Sequence, residues 1–82
     1  MITIELEYPL NLEVKEFDLP FPEIVMERGK YVTFLFTDEE QRLNYIEILC
    51  DLSEMVFYDT FSLTETKHKL NCIKNLIAVL SK

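Results

Sequence analysis

The stretch from Thr37 to Tyr58 constrains the fold most, because it carries the strongest helical pattern in the chain. Thr37 and Glu40 have the spacing of a capping box, in which each side chain satisfies a free backbone N–H at the start of a helix. Polar residues then recur every three or four positions, and most of the remaining directions are apolar. These polar positions are Asn44, Glu47, Asp51 and Glu54. The pattern predicts a central helix over about residues 38–58 that must be covered on more than one side.

Residues 2–14 show a different period, because every even position from Ile2 to Val14 is apolar and most odd positions are polar. Alternation with a period of two is typical of a half-buried strand. Pro9 cannot donate a hydrogen bond in a sheet, so the segment is either two short strands at a corner or one edge strand. Further along, two β-rich segments flank Gly29, the one glycine of the chain, and this arrangement favours a hairpin.

A second helix is predicted over about residues 63–81, where Ser62 and Glu65 repeat the capping-box spacing. Only a few residues link the two helices, so we expect them to pack antiparallel. The chain is therefore predicted to form one α+β domain, residues 1–82. In it, a small antiparallel sheet of three or four strands, within residues 2–37, is followed by two antiparallel helices packed on the sheet.

The net charge of −7 is distributed unevenly along the chain. Residues 1–61 carry a net charge of −10, whereas residues 62–82 carry +3. Such an acidic surface argues against direct binding of nucleic acid, which requires basic side chains. The chain has no apolar run of about 20 residues and no basic segment followed by an apolar block at its start, so the sequence predicts a cytoplasmic protein without a membrane span. Cys50 and Cys72 both lie in apolar helical patterns and are predicted to be buried thiols, with a disulfide between the helices as the alternative.

The sequence contains few of the patterns that are typical of catalytic, cofactor or metal sites. His68 is the single histidine and lies between Lys67 and Lys69, where we expect a surface position. There is no glycine-rich phosphate loop, calcium loop or cysteine–histidine set typical of zinc sites. We therefore expect no enzyme, no cofactor and no metal.

Three functional hypotheses follow. The first is a non-enzymatic protein-binding module, acting as an adaptor, subunit or inhibitor through an apolar surface. The second is an acidic decoy that mimics nucleic acid and inhibits a nucleic-acid-binding protein. The third is a small enzyme or ligand carrier. The residues predicted to contact a partner are Tyr31, Phe34, Phe36, Tyr45, Phe57, Glu5, Glu7 and Glu13. Because the apolar surface exceeds what one chain can cover, we expect a homodimer or a complex with a different protein.

Overall fold

A computed structural model describes residues 1–56 and 63–82 of the chain. Its elements are β1 (Ile2–Leu6), α1 (Leu10–Glu16), β2 (Ile24–Arg28), β3 (Tyr31–Phe36), α2 (Glu39–Met55) and α3 (Leu63–Leu80). The predicted α+β class is confirmed, with three strands in one antiparallel sheet of order β1-β3-β2. An additional helix, α1, lies between the first two strands. Within the described residues, no helix is long and apolar enough to cross a membrane.

The hairpin between β2 and β3 forms at the predicted glycine. Gly29 has a φ of 61°, and no atom outside Gly29 and its two chain neighbours lies within 4 Å of the position that a Cβ would occupy. Positive φ at the first of two loop residues is typical of the type II′ turn, which matches the twist of the strands that it joins. The hairpin fixes the register, with Arg28 opposite Tyr31 and Ile24 opposite Leu35.

The predicted strand over residues 2–14 is only partly correct, because residues 10–16 form the helix α1. Leu10 and Val14 of the alternating segment, together with Phe17 just beyond it, have the i, i+4, i+7 spacing of a helix face. Val14 is buried and the other two pack against the core, while Leu12 is left exposed. Pro9 occupies the N-cap position, where a missing N–H removes no helical hydrogen bond. Burial of this face therefore favours a helix over a strand.

The end of α1 is a Schellman motif. The N–H of Asp18 donates to the carbonyl of Lys15, and the N–H of Leu19 donates to the carbonyl of Val14. Asp18 takes the left-handed conformation that this motif needs, with a φ of 54°. Leu19 and Val14 are both buried, as is usual for the apolar pair that accompanies the motif. The motif turns the chain toward β2.

The core lies between the sheet and the helices. The inner face of β3 contributes Val32, Phe34 and Phe36, α2 packs over this side, and α3 packs against α2 and adds residues to the same core. The buried residues of the two helices are Tyr45, Leu49, Cys72, Ile73, Leu76 and Leu80. Arg42, near the start of α2, donates to the carbonyl of Leu80, at the end of α3. This contact joins opposite ends of the two helices, as expected for the predicted antiparallel pair.

The start of α2 differs by one residue from the predicted capping box. Asp38 is the N-cap, and its carboxylate accepts from the N–H of Gln41 at 2.9 Å. The side-chain oxygen of Gln41 in turn accepts from the N–H of Thr37 at 3.0 Å. The cap therefore resembles a capping box built on Asp38 and Gln41 instead of Thr37 and Glu40, except that the Gln41 side chain accepts from the N–H of Thr37 and not from that of the N-cap residue.

We expect Asp38→Ala to lower the free energy of unfolding by about 1 kcal/mol, because it removes the acceptor that satisfies the N–H of Gln41. Thr37→Ala is the matched control and should change stability by less than about 0.5 kcal/mol. Urea denaturation of both variants checks the assignment. A larger loss of stability in the Thr37 variant than in the Asp38 variant would show that Thr37 is the N-cap, as the sequence spacing predicts.

One prediction about the cysteines is wrong. Both are free thiols, and Cys72 is buried as expected, but Cys50 is exposed on α2. The helix exposes its four predicted polar positions and also about half of each of Leu43, Ile48 and Met55. The covered stripe of α2 is therefore narrower than its composition suggests, because only Tyr45 and Leu49 of the helix are buried.

Candidate docking surface

The three helices leave one face of the sheet uncovered within the described part of the chain, and we call it the open sheet face. Side chains alternate across a strand, so the register places one set of residues together on this face. Thr3 lies beside Leu35 and Ile24, Glu5 lies beside Thr33 and Met26, and Arg28 lies beside Tyr31. The open sheet face consists of Thr3, Glu5, Ile24, Met26, Arg28, Tyr31, Thr33 and Leu35.

Except for Thr33 at the centre and Arg28 at the end of β2, the centre of this face and its β2 side are apolar. Ile24, Met26 and Tyr31 remain 40%, 52% and 51% exposed, and Leu35 is half-buried between its neighbours. A shallow groove of about 580 Å³ runs over the face and is lined by Thr3, Glu5, Met26, Arg28, Tyr31 and Thr33. A contiguous apolar patch of this kind is typical of surfaces that bind other proteins.

Charge on the open sheet face is divided between its two edges. Glu5 lies on β1 and Arg28 lies on β2, with the neutral residues of β3 between them. Glu7 is exposed and follows Glu5 by two positions, just beyond the end of β1. The open sheet face itself therefore carries carboxylates at one edge and a guanidinium at the other, with Lys82 lining a pocket beside Glu5 and Glu7 on the β1 side.

The structure brings only part of the predicted partner-binding set to this face. Tyr31 and Glu5 lie on it, and Glu7 lies at its border. Glu13 is on α1, away from the sheet edge that carries the other two acids. The expected row of Glu5, Glu7 and Glu13 along one strand is therefore absent, because the chain turns into a helix before Glu13. Phe57 lies outside the described residues.

Three other predicted partner residues lie in the core. Phe34, Phe36 and Tyr45 are 0%, 2% and 4% exposed, so a partner cannot reach their rings. The ring of Phe34 meets those of Phe36 and Tyr45 edge-on, at centroid distances of 6.5 and 5.5 Å. The hydroxyl of Tyr45 donates to the carbonyl of Pro20 at 2.5 Å. These aromatic residues join the sheet to α2 and to the connector that precedes β2.

Sequence reasoning did not select Ile24, Met26 and Arg28, although the signal was present. Once Gly29 is placed in a two-residue turn, Arg28 pairs with Tyr31, and counting back in steps of two gives Met26 and Ile24 on the same face. Thr33, the one polar residue within β3, also lies on this face.

A second surface feature is a polar cleft of about 250 Å³ between α1 and α3. It is lined by Glu13, Glu16, Phe17, His68, Asn71 and Asn75. His68 is exposed, as predicted. Burial, together with the nearby Glu13 and Glu16 carboxylates, raises the pKa of the Cys72 thiol to about 12. This thiol is therefore protonated at neutral pH and is a weak nucleophile.

The third feature is an acidic stripe along α2. Glu40, Glu47, Asp51 and Glu54 are exposed and are spaced seven, four and three residues apart, so they share one side of the helix. The single basic residue of α2, Arg42, pairs instead with Glu39. Among the residues described, no group of three or more His, Cys, Asp or Glu side chains is placed to hold a metal ion.

Comparison with known proteins gives no match to a protein-family model, to a curated protein or to a solved structure.

Proposed function

We propose that this chain is a non-enzymatic protein-binding module and that the open sheet face is its docking surface. One observation carries the proposal: Ile24, Met26 and Tyr31 form one exposed apolar patch on the side of the sheet opposite to the described helices. The partner is a second copy of the chain or a different protein, and the module acts as a subunit, adaptor or inhibitor in the cytoplasm.

The shape of the face supports a protein partner over a small molecule. Small-molecule sites are concave and bury most of the ligand surface, usually with a few convergent polar groups. The open sheet face is broad and shallow, and its two charged side chains lie on opposite edge strands. A flat apolar centre with charged edges resembles the core and rim of protein interfaces.

The acidic stripe of α2 favours a second candidate function. Four exposed acids without an exposed base on the same helix produce a negative field that suits a basic partner surface. A chain that occupies the basic site of a nucleic-acid-binding protein would use such a stripe. This candidate places the contact on α2, on the other side of the molecule from the open sheet face.

The two candidates can be separated with a matched pair of methionines. Met26 is 52% exposed on the open sheet face, and Met55 is 61% exposed on α2. Each is replaced by Glu in the tagged 82-residue chain, which adds the same charge at two different surfaces. Proteins bound from the native lysate are compared with those bound to the wild-type chain by quantitative mass spectrometry.

We expect Met26→Glu to reduce partner capture at least about tenfold and Met55→Glu to leave it unchanged, because a carboxylate on the sheet must be desolvated in the interface. Capture should also persist between about 0.1 and about 1 M salt, since apolar contacts are not screened. If capture survives Met26→Glu but is lost at high salt, the partner binds the acidic stripe of α2 and not the open sheet face. A captured partner insensitive to Met26→Glu at any salt concentration would refute docking through the open sheet face.

A further inference from the structure

The pattern of charge on the open sheet face suits a second copy of the same face. From its residues we infer that two copies pair through this face around a two-fold axis that runs parallel to β3. The inference rests on the proposed function, because it names the partner that docks on the same surface. Homodimer contacts place the same patch on both subunits, so the patch must be complementary to itself.

Only one direction of the two-fold axis satisfies this condition. When the axis runs parallel to the strands, β1 of one copy lies over β2 of the other, so the acidic edge at Glu5 faces the basic edge at Arg28. This contact occurs twice. When the axis instead runs across the strands, β1 lies over β1, and Glu5 faces an acidic edge. With the parallel axis, Tyr31 meets Tyr31 and Leu35 meets Leu35 at the centre of the interface.

The side chains are long enough to make the edge contacts. Along a strand, residues on the same face are about 7 Å apart, and packed sheets are about 10 Å apart. Arg28 lies one row below Glu5 in the register, at the level of Tyr31. Its guanidinium can therefore reach either Glu5 or the exposed Glu7 of the other copy. Among the described residues, neither Glu5 nor Arg28 forms an ion pair within its own chain.

The overall charge also agrees with this arrangement. Two chains of net charge −7 repel each other, and the acidic stripe of α2 is a large part of that charge. Because α2 packs on the inner side of the sheet and its stripe faces away from the core, pairing through the open faces keeps the two stripes far apart. An interface on α2 would instead bring them together.

The area of the face sets the expected affinity. Three strands of about five residues cover roughly 14 by 17 Å, a footprint of about 240 Å² on each copy, which is well below the roughly 800 Å² that each partner buries in a standard interface. We therefore expect a reversible dimer with a dissociation constant in the micromolar range. Sedimentation velocity of the wild-type chain, from about 10 to about 500 μM, should show a monomer–dimer equilibrium.

Reversing the charge at each edge of the open sheet face tests the proposed direction of the two-fold axis. Arg28→Glu changes the net charge to −9, and Glu5→Arg changes it to −5. If only net charge mattered, the second variant would dimerise more strongly than the wild type. We expect both single variants to weaken the dimer about tenfold or more, because each places like charges across the interface.

Two combinations should restore the dimer. The double variant Glu5→Arg/Arg28→Glu keeps the net charge of −7 and re-forms both contacts with reversed signs. An equimolar mixture of the two single variants should form heterodimers, because every edge contact then joins an Arg and a Glu. Met55→Glu is the control and should leave the dimer unchanged, and circular dichroism shows that each variant is folded.

The possible failures are distinguishable. If the wild-type chain is a monomer at every concentration but Met26→Glu abolishes capture of a different protein, the inference of a homodimer is wrong and the proposed docking function stands. If the wild type is a monomer and capture is insensitive to Met26→Glu, both the homodimer and docking through the open sheet face are wrong. A dimer that Arg28→Glu and Glu5→Arg do not weaken would overturn the proposed axis, and one weakened by Met55→Glu would move the interface to α2.

Discussion

Phe34→Ala should lower the free energy of unfolding by about 3 to 5 kcal/mol, the usual cost of truncating a buried aromatic residue. The ring is fully buried and meets three others, since it contacts Phe21 edge-on at 5.9 Å as well as Phe36 and Tyr45. Removing it leaves a cavity between the sheet, α2 and the connector before β2. Guanidinium denaturation followed by circular dichroism measures the loss.

A domain of 82 residues has little stability to lose, so the Ala variant risks being unfolded in buffer. Phe34→Leu fills most of the space and should remain folded with a smaller loss. Tyr31→Ala is the control on the same strand, and we expect a change within about 0.5 kcal/mol because this side chain lies on the open sheet face. A loss below about 1 kcal/mol for Phe34→Ala would contradict the assignment of the inner face of β3.

The faces of β3 show what sequence alone could predict. Alternation separates Tyr31, Thr33 and Leu35 from the three residues between and after them, and this division is visible without a structure. The side that the helices cover is not decided by alternation, because both sets are largely apolar. Aromatic residues from both sets were consequently predicted to contact a partner. The covered side is the one on which Tyr45 of α2 can fill the space beside the phenylalanine rings.

Helix α1 illustrates a different limit. Residues 10–14 satisfy the strand period and the helix period at once, so local pattern cannot choose between them. The choice depends on contacts distant in sequence, because α1 packs against α3 and Lys15 forms a 2.8 Å ion pair with Glu27 of β2. The sequence pattern also does not predict the turn of the chain at Asp18, since non-glycine residues rarely adopt positive φ.

The candidate site was only partly predictable for a related reason. Tyr31 and Glu5 were identified as aromatic and acidic residues in strands, and both lie on the open sheet face. Ile24, Met26 and Arg28 become part of one surface only when the register of the hairpin is known. A docking surface on a sheet is defined by neighbours across strands, and these are distant in sequence.

The second large effect is a loss of stability at alkaline pH, which we expect from two buried weak acids in the described part of the core, Cys72 and Tyr45. Burial raises the pKa of the Cys72 thiol from 9.0 to about 12, with a further contribution from the Glu13 and Glu16 carboxylates. Burial is also the main reason that the pKa of the Tyr45 hydroxyl lies well above its ordinary value of 10.0, and Cys72 adds to that increase. Both groups therefore keep their protons in the folded protein under conditions in which the unfolded chain loses them.

This difference determines whether stability rises or falls with pH. Below pH 9.0 both states hold the Cys72 proton, so its contribution to stability is fully present. Between pH 9.0 and about 12, unfolding releases that proton, so rising pH favours the unfolded chain. Each such group lowers the free energy of unfolding by about 1.4 kcal/mol per pH unit. By about pH 11 the two groups together should remove roughly 4 kcal/mol, a large part of the stability of a small domain.

We therefore expect Cys72→Ala to flatten the loss of stability above pH 9, by about 1.4 kcal/mol per pH unit relative to the wild type. The variant also loses some core packing, but that cost is the same at every pH and does not change the slope. Cys50→Ala is the matched control, because its thiol is exposed, and its slope should equal that of the wild type. Urea denaturation at pH 7 to about 11 measures all three chains, and Tyr45→Phe should flatten the curve only above about pH 10. Parallel curves for the wild type and Cys72→Ala would show that the thiol ionises as readily in the folded protein as in the unfolded chain, and that the core under the cleft between α1 and α3 admits water.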